Sequence, residues 1–350
     1  MTGKYMAYVG SYSYTGKAKG ITVYDVDVEA GKFIYRCEVE VDNSSYLKAS
    51  QNGQILYSIA DEGVVAFRVL SNGSLARLNS ANIRGMRGCH LSTSKADDYI
   101  FISGFHDGKI TVLNLNKDGA VGQIADGVFH KGLGSVAERS FRPHVSCSRL
   151  TPDERFLMVA DLGIDQIKVY RFDHKDGKIT LVDTIRCELE SAPKYFMFSS
   201  DGRFFYVLYE LKNMIEVYSY KEGERVPIVE KIQTIPSTGS KPNQLTAACA
   251  MHLSPDEKHL FCSNAGDNTV SMYDRDDETG MLTMRFCLPI SGDYPKDIAI
   301  FPDGKHLASI NHEGSISFFK IDYEKGLLVM SDRSIKVNEP NCCEIVKIGD

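Results

Sequence analysis

Ionisable side chains recur at two places in a repeating unit of this chain. His90, His144, Lys194 and Lys296 stand at one, in step with Tyr46, Met251 and Asn341; His106, Asp161, Glu210 and His312 stand at the other, in step with Ser11, Glu62 and Asn264. Neighbours within each set are about fifty residues apart or a multiple of that, so only a repeat architecture brings them together. Imidazole, carboxylate and ammonium groups meeting in one recess would support proton transfer near neutral pH and stabilise developing negative charge. The alternative is a polar, water-lined channel with no chemistry in it.

The elements that must position these groups are read from two recurrent markers. A polar turn joins an apolar run to a Tyr/Phe-rich run at Thr151-Pro152-Asp153-Glu154, Ser200-Asp201-Gly202, Ser254-Pro255-Asp256-Glu257 and Phe301-Pro302-Asp303-Gly304. A glycine hairpin follows further on, as in Gly73-Ser74-Leu75, Gly177-Lys178-Ile179 and Gly280-Met281-Leu282. Four β-rich runs per unit of roughly 45 to 55 residues predict a β-propeller of four-stranded antiparallel blades. The seventh copy is split. Residues 340–346 read as a first strand with nothing after it, and residues 5–9 as a second strand with nothing before it. Pairing them in one blade closes the ring and removes the exposed sheet edges. The expectation is one all-β domain over residues 1–350, a seven-bladed propeller.

Composition narrows the function. Trp is absent from the 350 residues, which argues against a WD-repeat propeller, whose units close on a Trp-Asp pair. A formal charge of −6 without a basic stripe makes nucleic acid an unsuitable partner. The start Met1-Thr2-Gly3-Lys4-Tyr5 runs directly into strand pattern and no long apolar run follows, so the expectation is a cytoplasmic protein that does not engage a membrane. The nine cysteines lack Cys-x-x-Cys spacing and read as free thiols; neither a metal nor another cofactor is called for. A monomer is the default for such a ring.

In a four-stranded blade the loop from second to third strand and the connection to the next blade share one face. The two longest connections, residues 129–142 and 236–248, fall there, and loop elaboration on one face marks the binding side.

Several longer runs, in order, resemble a known family: Tyr8-Val9-Gly10-Ser11-Tyr12, Arg142-Pro143-His144-Val145, Asp161-Leu162-Gly163-Ile164-Asp165, Tyr206-Val207-Leu208-Tyr209-Glu210-Leu211 and His252-Leu253-Ser254-Pro255-Asp256. They are similar to the seven-bladed propeller lactonases, of the 6-phosphogluconolactonase and carboxymuconate-lactonizing type. The chain departs from the family's runs at named places. Pro-His-x-His keeps His144 but has Ser146 second. Gly-Pro-Arg-His reads Ala192-Pro193-Lys194-Tyr195. Ala-Glu-Ile-His reads Cys249-Ala250-Met251-His252, Asn-Arg-Gly reads Asn264-Ala265-Gly266, and the last Pro-Arg is Pro295-Lys296. Glu210 is kept.

The resemblance implies a small-molecule lactone, a sugar acid derivative, opened by base-activated water in the manner of the oxidative pentose phosphate pathway. It implies His144 as base, Glu210 as its orienter or alternative, and Lys194 as the positive charge near the acyl oxygen. Arg142 and Lys296 would hold a substrate anion; with a less anionic substrate, Tyr195 and Met251 would make the pocket more apolar. Asp161 would contact substrate or else tie its own loop. Lysine for arginine keeps the sign of the charge but not the planar clamp. A lactonizing enzyme with a less anionic substrate, or a propeller that binds a ligand or protein without catalysis, are the competing readings.

Overall fold

Runs such as Phe156–Asp161 and Phe204–Tyr209 are apolar at nearly every position and persist as strands only where both faces are covered. Both become second strands of four-stranded sheets and are buried throughout. Outermost strands such as Ile228–Pro236 alternate partly buried with exposed residues, as a strand with one wet face must. The computed structural model describes residues 3–135, 141–239, 243 and 245–349. These form seven four-stranded antiparallel sheets. The propeller expected from the repeats is therefore present, and so is its closure: Pro340–Gly349 pairs with Lys4–Ser11, with Val9 opposite Cys343.

Blades are numbered from the one that joins the two chain ends. The innermost strands of blades 2 to 7 are Leu47–Ala49, His90–Thr93, Val145–Leu150, Pro193–Phe198, Ala247–Leu253 and Pro295–Ile300, and Pro340–Gly349 serves blade 1. The core is divided among the blade interfaces, with one hydrophobic cluster between each pair of neighbours. Phe156 and Phe205, for example, meet between blades 4 and 5. No single sheet has enough buried face to stand alone, so each blade depends on its neighbours.

The glycine marker has its reason at these interfaces. Gly280, at φ +70°, sits so close to blade 5 that a Cβ there would lie 2.4 Å from the Phe204 ring. Its carbonyl accepts the Tyr206 hydroxyl at 3.1 Å. Tyr8 makes the equivalent bond to the Gly73 carbonyl at 2.8 Å, and Tyr57 to that of Gly119 at 3.0 Å. The Tyr-rich second strand and the glycine hairpin are thus two halves of one joint between blades.

Candidate active site

The innermost strands are not regular where they begin. In blade 4 Val145 pairs with Asp161 and Cys147 with Ala160, so Ser146 is left out of the ladder. The same skip leaves out Lys194, Cys249, Lys296 and Asn341 in blades 5, 6, 7 and 1. A bulge residue is unpaired and its side chain is re-aimed. All of them line one cavity of about 510 Å³ at the mouth of the ring. In three of the blades a proline stands directly before the bulge residue: Pro193, Pro295 and Pro340. As first residue of a strand, proline withholds no N–H that the ladder needs.

His144, Lys194 and Glu210 all line this cavity. The Lys194 Nζ lies 2.6 Å from Glu210 Oε2 and 3.9 Å from the Cys249 sulfur. Burial opposes the ammonium, but Cys249 and Glu210 outweigh it and hold Lys194 above its ordinary range. It is therefore a fixed positive charge at neutral pH and no base. The His144 imidazole stacks on Phe105, 4.3 Å between centroids, and its Nδ1 lies 2.7 Å from the Phe105 carbonyl. A carbonyl only accepts, so Nδ1 carries the proton and Nε2 has the lone pair of the neutral ring.

Arg142 and Lys296 line the same cavity. Arg142 is exposed with its guanidinium 5.7 Å from the Phe141 ring, and the Lys296 ammonium lies 5.2 Å from the Tyr294 ring. Tyr195 forms part of the wall, with its hydroxyl held by Arg149 and its ring 5.0 Å from that guanidinium. Burial raises its phenol, so it stays neutral. Parts of the two long connections, residues 136–140 and 240–242 with 244, lie outside the described residues.

Of the residues expected at the mouth, Ser11, Glu62, Asp161, Met251, Asn264 and His312 do not line this cavity, and two of them show why. Asp161 does not reach the cavity, because its carboxylate is fully buried beneath His144. One oxygen accepts the backbone N–H groups of His144 and Gly163 at 2.8 and 3.1 Å, and the other lies 2.6 Å from His130 Nδ1. Asp161 thus ties its own loop rather than touching substrate. The strand register explains it. Asp161 opposes Val145 as Tyr209 opposes Pro193, so Asp161 matches Tyr209, and Leu162 is the counterpart of Glu210. One residue of slip turns a side chain to the other face. Met251 fails for the same reason: the bulge at Cys249 aims Ala250 and His252 at the cavity and sends Met251 into the core between blades 5 and 6.

The cavity also contains groups that the sequence reading left out. Arg87 lines it, 5.0 Å from the Tyr12 ring and 3.0 Å from Asp61. No motif marks Arg87. His252 lies with Nε2 2.8 Å from Asp297 Oδ1, and both residues line the wall. His252 belongs to a motif already matched, and Asp297 directly follows the Pro295-Lys296 run; either signal could have found them. Among the described lining residues the cations Arg87, Arg142, Lys194 and Lys296 face the carboxylates Glu210 and Asp297. The site is suited to a small anionic ligand.

A family model described as "Lactonase, 7-bladed beta-propeller" matches residues 6–345. The chain belongs to the seven-bladed propeller lactonase family. Among its relatives, 6-phosphogluconolactonase of Bacillus subtilis is 26% identical, across 98% of this chain and 99% of its own. A Bacteroides fragilis structure provisionally named 6-phosphogluconolactonase is 30% identical with a TM-score of 0.89, covering 99% of this chain and 98% of the other. The periplasmic gluconolactonase of Pseudomonas aeruginosa, 24% identical with 99% of each chain covered, shares the fold at a TM-score of 0.90. In this chain His144, Glu210, Lys194 and Lys296 line the cavity, and Ala265 is fully buried.

Proposed function

We propose that the protein hydrolyses a sugar lactone that bears an anionic group, of the 6-phosphogluconolactone class. The observation that carries this reading is the meeting of His144, Lys194 and Glu210 in one cavity, with Lys194 ion-paired and His144 held in one tautomer. His144 Nε2 takes a proton from water as the water oxygen bonds to the acyl carbon. Lys194 stands as the cation for the oxyanion that forms, and Glu210 holds Lys194 in place. Arg87, Arg142 and Lys296 supply the charge for the substrate anion. The names of the relatives support the same substrate class.

A less anionic lactone is the second reading. It is favoured by the Lys194–Glu210 pair itself, since a cation already matched by a carboxylate offers less to a phosphate. The test is pH-stat hydrolysis of fresh 6-phosphoglucono-δ-lactone beside glucono-δ-lactone, each corrected for spontaneous opening. A phosphate-dependent rate supports the first reading, and equal rates the second. No enzymatic rate on either overturns both.

A further inference from the structure

We propose that His252 is a second acid–base group of this site, held by Asp297, and that it protonates the ring oxygen as the lactone opens. The inference rests on the hydrolase reading above. It begins from two imidazoles that line one cavity, on blades 4 and 6, with different partners. The Nδ1 proton of His144 faces the neutral carbonyl of Phe105 at 2.7 Å. His252 Nε2 faces a carboxylate oxygen of Asp297 at 2.8 Å.

Asp297 is fixed independently of His252. Its Oδ1 accepts the N–H of Ile298 and its Oδ2 that of Cys343, both at 2.9 Å, so blade 7 and the closing strand of blade 1 set its orientation. With Nε2–H donated to Asp297, Nδ1 is the ring position that gains or loses a proton. The His252 side chain is 33% exposed, against 11% for Asp297, so the ring is the more open of the two to the cavity. Its other ring neighbour is Tyr195 of blade 5, 6.4 Å between centroids, whose hydroxyl is engaged by Arg149. A positive charge on His252 has a carboxylate, Asp297, at hydrogen-bond distance of its ring, whereas the ring of His144 donates to a neutral carbonyl and the nearby Asp161 carboxylate accepts from its backbone N–H instead. Two like groups in unlike environments divide into an acid and a base.

The step balances as follows. The water oxygen bonds to the acyl carbon and one water proton passes to His144 Nε2. The bond between acyl carbon and ring oxygen then breaks, its electron pair goes to the ring oxygen, and that oxygen takes the Nδ1 proton of His252. The product is the hydroxy acid. His144 returns its proton to solvent and His252 takes one up. Asp297 is a positioning residue, since it acts through His252.

The test uses two leaving groups. An alkyl lactone such as glucono-δ-lactone expels an alkoxide and needs the proton; dihydrocoumarin, an aryl lactone, expels a phenoxide and needs it far less. His252→Gln is expected to lower kcat about a hundredfold on the alkyl lactone and only a few-fold on the aryl lactone. Asp297→Asn is expected to move the alkaline limb of the kcat profile to lower pH, because the imidazolium loses its counter-charge. In NMR the His252 titration is expected to shift the same way in Asp297→Asn, a readout independent of turnover and available if His252→Gln does not fold. Equal loss on both lactones, or unchanged rates with an unmoved titration, overturns the acid assignment while the hydrolase reading stands. A wild-type protein that opens no lactone overturns both.

Discussion

Lys194 Nζ and Glu210 Oε2 lie 2.6 Å apart within a single blade, the lysine on a bulge of the innermost strand and the glutamate just beyond the end of the second. The lysine side chain is 24% exposed and the glutamate 8%, so the pair sits at the boundary between core and cavity. Glu210→Gln leaves the ammonium without its anion. A fully buried pair broken this way loses about 3–5 kcal/mol, and the partial exposure here lowers the expectation to about 1–2 kcal/mol. Turnover of the lactone is expected to fall about a hundredfold or more, because Lys194 is no longer held. Wild-type rates in this variant, with its melting temperature lowered, would leave the pair a purely structural one.

The raised Lys194 pKa gives this pair a pH signature. On the lysine side its stabilisation is fully present from neutral pH up to the ordinary lysine value of 10.5 and is lost as pH rises through the higher folded value. Neutral-range melting curves of wild type and Glu210→Gln should therefore run parallel. A gap that closes between neutral and mildly alkaline pH would show that Lys194 deprotonates there.

His144→Ala removes the ring nitrogen assigned to water activation. The expected loss is about 10²–10⁴-fold in kcat, the usual worth of a general base, with far-UV circular dichroism unchanged. Hydrolysis that survives this substitution shifts the base to another residue of the cavity.

Arg142 and Lys296 are assigned to the substrate anion. Truncating either to Ala is expected to raise KM for the phosphorylated lactone about tenfold, with kcat and the unphosphorylated substrate little affected. Equal effects on both substrates would mean that these cations do not read the phosphate.

His90 offers a pH test of stability. Its Nδ1 lies 3.4 Å from the Ser148 N–H and its Nε2 3.6 Å from the Cys147 sulfur, and burial, followed by Arg149 and Lys48, holds it well below its ordinary value of 6.5. The unfolded chain therefore binds the proton that the folded protein refuses, and stability falls as pH drops below that value. The melting temperature of wild type is expected to decline on acidification. His90→Gln should show a shallower decline, whatever its melting temperature at neutral pH; parallel slopes would contradict the assignment.

Gly280→Ala tests the joint between blades. The added methyl group meets the Phe204 ring at 2.4 Å from a residue held at φ +70°. A loss of about 2–3 kcal/mol is expected from overpacking and backbone strain together. Thermal melting reads it directly, and an unchanged midpoint would show that the hairpin moves aside at little cost.

The propeller was legible because its causes are local and repeated. Apolar alternation, Pro-Asp-Gly turns and glycine hairpins act over a few residues, and the complementary runs near the two ends point to their own pairing. His144, Lys194, Glu210 and Lys296 could be placed on one face, because the mouth of each innermost strand follows from the strand count; Arg142 and Tyr195 came from the resemblance alone. The direction of individual side chains could not. A bulge adds one residue to a strand without marking the composition, and it alone decides that Lys194 and Cys249 reach the cavity while Met251 enters the core. A single residue of register likewise separates Asp161, spent on His130 and its own loop, from the position of Glu210. Arg87, and the pairing of His252 with Asp297, depend on distances between blades. Nothing local in a chain encodes such distances; they are set when seven sheets pack into a closed ring and bring residues from different repeats to one mouth.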